Sequence, residues 1–287
     1  MAVYKRTYKT YDSVLTPAWS RFLTLPRASY GRLMQSKFLV IFLMASFFFP
    51  LGCTAFIYLS HNLSFLQSLN IPAGQFLQIN ANFFRFFCSF QSAMAVLMTV
   101  VVGPGLVAPD LANNALALYF SRPFGRTEYV AGKMSLLMFL LSLITWVPGL
   151  ILFGIQCSLA GRQWAGENLW IAGAILIGLV VWDIFLSLIA LALSAWVKWR
   201  IAAGGLILGV FFAGAGFGAA FNAIVRTQYG AVVDLRQVIS ILFFKLFRDD
   251  ATVTALTAGQ AWTVLGVAGG ICLWMLSRKV RAFEVIK

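Results

Sequence analysis

The stretch GPGLVAPDLANNALALYFSRPFGRTEYVAGK, residues 103–133, lies between two long apolar runs and carries most of the chain's readable polar chemistry. Pro109 and Asp110 suit a helix start, since proline lacks only an amide that would be unpaired there and Asp faces the positive end of the dipole. Leu111, Ala115, Leu118 and Tyr119 then recur at helical spacing, which predicts a short amphipathic helix. Pro123 ends it, because the residue before a proline, Arg122, is pushed away from helical angles. Past the Pro-Phe-Gly turn, Thr127 can cap a new helix that runs through Glu128 and Lys133 into the next apolar run. The stretch reads as a polar-faced helix, a rigid turn and a basic edge held beside a membrane. That is a docking element rather than a catalytic one.

The membrane enters through composition. Of 287 residues, 61% are hydrophobic and 11% charged, whereas a soluble domain carries about a quarter charged residues. Mean hydropathy is +0.86. The net charge of +13 could signal nucleic acid, but the basic residues flank apolar spans, where the positive-inside rule puts them. Cys53, Cys88, Cys157 and Cys272 form no C-x-x-C pair and sit in or beside apolar runs, which fits small buried hydrophobes better than metal ligands or disulfides. His61 falls just past the first run and reads as a solvated loop residue.

In chain order, residues 1–37 hold seven basic residues and no apolar core near the start, which argues against a cleaved signal peptide. Trp19, Phe22, Leu23, Leu33 and Met34 alternate there with Arg21, Arg27 and Arg32, predicting an amphipathic segment on the anionic inner leaflet, broken near Pro26. Apolar runs follow at 38–59, 86–107, 134–155, 169–197, 201–225 and 256–276, each long enough to cross the ~30 Å hydrocarbon core. Pro50 and Gly52 bend the first of these, and Pro148 and Gly149 fall late in the third. The fifth holds two G-x-x-x-G pairs, Gly205/Gly209 and Gly214/Gly218, which allow close backbone approach. Between the fifth and sixth runs, segment 226–255 carries a helical stripe of Leu235, Val238, Ile239, Leu242 and Leu246. The fold expected is an all-α integral membrane domain over 38–276, with a cytoplasmic N-terminal segment 1–37 and a basic tail 277–287. The coupling loop spans 108–133, and 226–255 forms an extracytoplasmic amphipathic segment.

Charge fixes the expected orientation. With both termini inside, sixteen basic residues lie on the cytoplasmic side and six on the outer side: Arg85, Arg162, Arg226, Arg236, Lys245 and Arg248.

The loop also resembles a known family. Asp110, Leu116, Arg122, Pro123, Arg126, Glu128, Tyr129, Gly132 and Lys133 stand in the order found in the cytoplasmic loop of ABC-2 type transporter permeases. The resemblance implies that the loop between the second and third spans is a coupling helix seated on a separate cytoplasmic ABC ATPase. It further implies an exporter of two six-helix permease subunits in a bacterial inner membrane, with ATP and Mg bound by the ATPase and no cofactor in this chain. An N-terminal connecting helix and short outer helices after the fifth span belong to the same pattern. On this reading Leu111 to Phe120 dock in the ATPase cleft through a ridge of Leu116, Leu118 and Tyr119, while Arg122, Arg126 and Glu128 meet its rim.

Several chemistries have no carrier in the sequence. GRTEYVAGK at 125–133 lacks the spacing and the Ser or Thr of a phosphate-binding G-x-x-x-x-G-K-[ST] loop, and no H-E-x-x-H or G-x-S-x-G occurs. The chain is therefore expected not to be an enzyme. Asp183 is the one ionisable residue near the middle of a span, and it reads either as a translocation-pathway contact or as a hydrogen-bonded packing carboxyl. An ion-coupled carrier would want more intramembrane acids or an inverted repeat. A non-transporting accessory subunit is the remaining alternative.

Overall fold

A computed structural model describes residues 24–62, 79–113, 115–120, 125–197, 199–249 and 256–280. The features expected at 1–23, 63–78, 250–255 and 281–287, and at Arg122, Pro123 and Lys198, lie outside the described residues. All regular structure among the described residues is helical: α1 Thr24–Met34, α2 Lys37–His61, α3 Ala81–Val102, α4 Pro104–Ala112, α5 Ala115–Phe120, α6 Arg126–Ile144, α7 Trp146–Ala160, α8 Arg162–Trp196, α9 Arg200–Val225, α10 Leu235–Leu246 and α11 Ala258–Lys279. A single 3-10 turn, Tyr229–Val232, precedes α10. Six helices are long and apolar enough to span a membrane: α2, α3 with α4, α6 with α7, α8, α9 and α11.

The spans are longer than the apolar runs suggested, and the loops correspondingly shorter. The second covers Ala81–Ala112 and the third Arg126–Ala160. Segment 126–133, expected as a helix capped at Thr127 that leads into the third span, is the first two turns of α6. Gly125, not Thr127, precedes that helix, and the Glu128 carboxylate accepts the Gly125 amide at 2.7 Å. The loop expected at 156–168 collapses to Gly161, whose φ of +91° is a backbone turn that glycine accepts without strain. Pro109 lies inside α4, whose first turn starts at Pro104. The Ser194 hydroxyl enters that helix, accepting the Ala108 amide at 2.9 Å and reaching the Pro104 carbonyl at 3.3 Å. Pro26 falls in the first turn of α1, where its missing amide is no loss.

Helix α8 is the centre of the bundle, packing on α3, α4, α6, α7, α9, α10 and α11. Burial covers 67% of its apolar window, against 22% in the first and last spans. Those outer helices expose Ile41, Phe48, Leu51, Val267 and Trp274, a surface suited to hydrocarbon and not to water. Helix α10 shows the expected stripe: Leu235, Val238, Ile239 and Leu242 are buried, against α8, α11, α9 and α3. Its apolar face therefore belongs to the chain's own core.

The glycine pairs of the fifth span divide. A Cβ at Gly218 would stand 2.5 Å from the Gly230 carbonyl, and one at Gly214 2.7 Å from that of Val233. These two residues let the 229–233 segment lie directly on α9, so the close approach is to a 3-10 turn and not to another span. A Cβ added at Gly205 or Gly209 would meet nothing of another segment within 4 Å among the described residues.

Candidate functional site

The polar loop residues converge at the elbow between the second and third spans. Tyr129 and Lys133, four apart on α6, share one helix face. Both reach the same oxygen of Asp110, near the end of α4: the Tyr129 hydroxyl donates to Oδ2 at 2.8 Å, and Lys133 Nζ lies 2.8 Å from it. Tyr129 is fully buried and Lys133 is 6% exposed. The Lys133 ammonium also stands 5.6 Å from the Tyr129 ring centroid. A buried lysine needs such a partner, because an unpaired ammonium in this setting is strongly disfavoured. The network fastens α4 to α6.

Helix α5 is folded onto this elbow. Leu116 is buried at 5% exposure, and the Tyr119 ring lies 5.6 Å from that of Tyr129, tilted by 46°. Of the ridge expected to face a partner, Leu116 thus packs on its own chain and Tyr119 leans on the elbow, while the Leu118 side chain lies outside the described residues. Leu111 is half-buried, and Arg126 and Thr127 are exposed. One oxygen of Glu128 is occupied with the Gly125 amide.

Asp183 belongs to a second polar group, deep in the bundle. It is fully buried, and its Oδ2 lies 2.7 Å from Thr145 Oγ1. Thr145 also bonds the Leu141 carbonyl at 2.8 Å. Its single hydroxyl proton can serve one of those acceptors, and a neutral carboxyl donating to Thr145 satisfies both contacts. The contact lies where α6 breaks into α7 at Thr145, and the other Asp183 oxygen, Oδ1, is buried without a hydrogen-bond partner among the described residues.

Gln91 is the member that sequence reading passed over. Pro50 has no amide for the Ser46 carbonyl, and Pro148 none for that of Ile144. Gln91 Nε2 reaches both, at 3.5 Å and 2.5 Å. One side-chain amide with two hydrogens thus serves two helices interrupted by proline. Two mid-span prolines and one mid-span glutamine were the available signal.

No protein-family model matches the chain, and no curated protein matches it.

Proposed function

We propose that this chain is the membrane subunit of an ABC-2 type transporter, an exporter driven by a separate cytoplasmic ATPase that docks on the segment between the second and third spans. Two such subunits would work together in a bacterial inner membrane, both termini in the cytoplasm, with ATP and Mg held by the ATPase. The observation that carries the reading is the elbow. Asp110, Tyr129 and Lys133 fasten the second span to the third, and the short helix α5 between them leans on that elbow through Tyr119, so a force on α5 would tilt the two spans together. Among the described residues, the exposed members of the proposed docking surface are Arg126 and Thr127.

Co-expressed with the ABC ATPases of its own genome, the chain should capture one of them. Leu118→Asp combined with Arg126→Glu should insert normally yet weaken that capture at least about tenfold, as expected for a lost apolar anchor and a reversed rim charge. It should also abolish the permease-dependent part of the ATPase activity. Capture of no ATPase, or unchanged capture by the double variant, would remove the docking assignment.

Orientation has its own check. In a cysteine-free background, single cysteines at Ser64 and Thr252 should react with an impermeant thiol reagent applied to intact cells, and one at Ser13 should not. The opposite labelling pattern would invert the topology.

A further inference from the structure

A cavity of about 330 Å³ lies between α3, α8, α9 and α10. Its size falls at the low end of the ~300–1,000 Å³ typical of small-molecule sites. Val96, Trp182 and Phe211 line its apolar interior, and the exposed side chains of Leu97 and Phe212 border it between α3 and α9. Both helices are membrane spans, so this side of the cavity faces hydrocarbon. Asp183, the acid that the sequence singled out, does not line it; its neighbour Trp182 does.

The polar lining is concentrated on α10. Arg236 and Ser240, one helical turn apart, both line the cavity. Arg236 Nε stands 3.6 Å from Asp234 Oδ1, and 58% of the Arg236 side chain is exposed. Asp234 also caps α10 through the Arg236 amide at 3.0 Å, so its charge is shared between the two. Ser89 and Ser92 already donate to the carbonyls of Arg85 and Cys88 within α3. The guanidinium is thus the one cationic group of an otherwise apolar cavity among the described residues.

We propose that this cavity binds an anionic amphiphile drawn from the bilayer. Its apolar chain lies between α3 and α9 against Val96, Trp182 and Phe211, and its acidic headgroup is held by Arg236 and Ser240. A guanidinium recognises carboxylate and phosphate oxygens alike, by paired charge-assisted hydrogen bonds. An apolar helix from a second copy would fill the cavity but offer nothing to that guanidinium. Whether the occupant is cargo or a resident lipid rests on the permease reading; the binding itself does not.

The test uses the purified full-length chain in neutral detergent, without any ATPase, so that its failure is separate from failure of ATPase capture. Three photoreactive probes of equal chain length are compared: a fatty acid, an alkyl phosphate and an alkyl trimethylammonium. The acid, the phosphate or both should label α3, α9 or α10 saturably, their ranking identifying the headgroup, and the ammonium probe should not. Arg236→Gln should raise the half-saturating concentration of the anionic probes about tenfold, the size expected for a charged hydrogen-bonding partner. Ala93→Trp, on the cavity wall, should abolish labelling. If that variant does not purify as a monodisperse protein, Ser240→Phe replaces it with the same expected loss. Equal labelling by the ammonium probe, labelling unchanged by Arg236→Gln, or labelling that survives both filling variants would overturn the proposal. Labelling that disappears on dimerisation through a Phe212 contact would assign the cavity to a second copy instead.

Discussion

Asp110→Ala should lower the stability of the detergent-solubilised chain by about 3 kcal/mol, the low end of the cost of stripping one partner from a buried ion pair. The loss comes from what remains. Lys133, its side chain 7% exposed, keeps its charge with no carboxylate, and the Tyr129 hydroxyl loses its acceptor at the same time. Asp110 is itself 18% exposed, so some water reaches the pair, and the low end of the range applies. Lys133→Met should cost less, about 1–2 kcal/mol, because Asp110 retains the tyrosine hydroxyl and a thioether side chain suits the site. Asp110→Asn with Lys133→Met removes both charges while keeping an acceptor for Tyr129, and should recover most of the Asp110→Ala loss. Denaturant unfolding of the four proteins gives the comparison. If Asp110→Ala and the double variant lose the same stability, the pair is not what holds α4 against α6.

That elbow also marks how far the sequence could be read. Six spans were legible because runs of some twenty apolar residues have few alternatives. Their ends were not, because a charged residue at a span boundary looks like loop until its partner is known. Glu128 and Lys133 were read as helical but left outside the third span, yet Lys133 is neutralised by Asp110 across the elbow and Glu128 caps its own helix at Gly125. Pro109 looked like a helix start, yet it lies within α4, whose first turn begins at Pro104. The stripe of α10 was legible down to Leu242, because amphipathic spacing records which face is covered. It does not record by what, and this face turned out to be covered by the bundle itself. Likewise, the glycine spacing in α9 announced close packing, but Gly214 and Gly218 meet a turn while Gly205 and Gly209 meet no other segment among the described residues. The elbow residues Asp110, Tyr129 and Lys133 were legible as a group, though the reason they meet each other lies in a fold that brings positions 19 apart within hydrogen-bonding reach. Asp183 stood out as an intramembrane acid; Thr145, 38 positions away, did not stand out as its partner.

Gln91→Leu should cost about 1–3 kcal/mol, and the more telling result is how that cost is recovered. Leucine matches the glutamine closely in size, so packing around position 91 changes little. What is lost is the donor for two carbonyls, those of Ser46 and Ile144, which Pro50 and Pro148 leave without a backbone amide. The Ile144 contact, at 2.5 Å, should carry most of the effect, and the 3.5 Å contact to Ser46 little. In hydrocarbon no water can take over, although interhelical hydrogen bonds measured in membrane proteins average well under the soluble-protein figure, which keeps the expectation modest. The Gln91 carbonyl oxygen is buried without a partner, so its removal gives back part of the loss. Pro148→Ala restores an amide four residues beyond Ile144 and should therefore destabilise the wild-type chain less than it stabilises the Gln91→Leu chain. A thermal unfolding series in detergent over these variants decides the matter: if Pro148→Ala has the same effect in both backgrounds, Gln91 is not the donor that completes the broken third span.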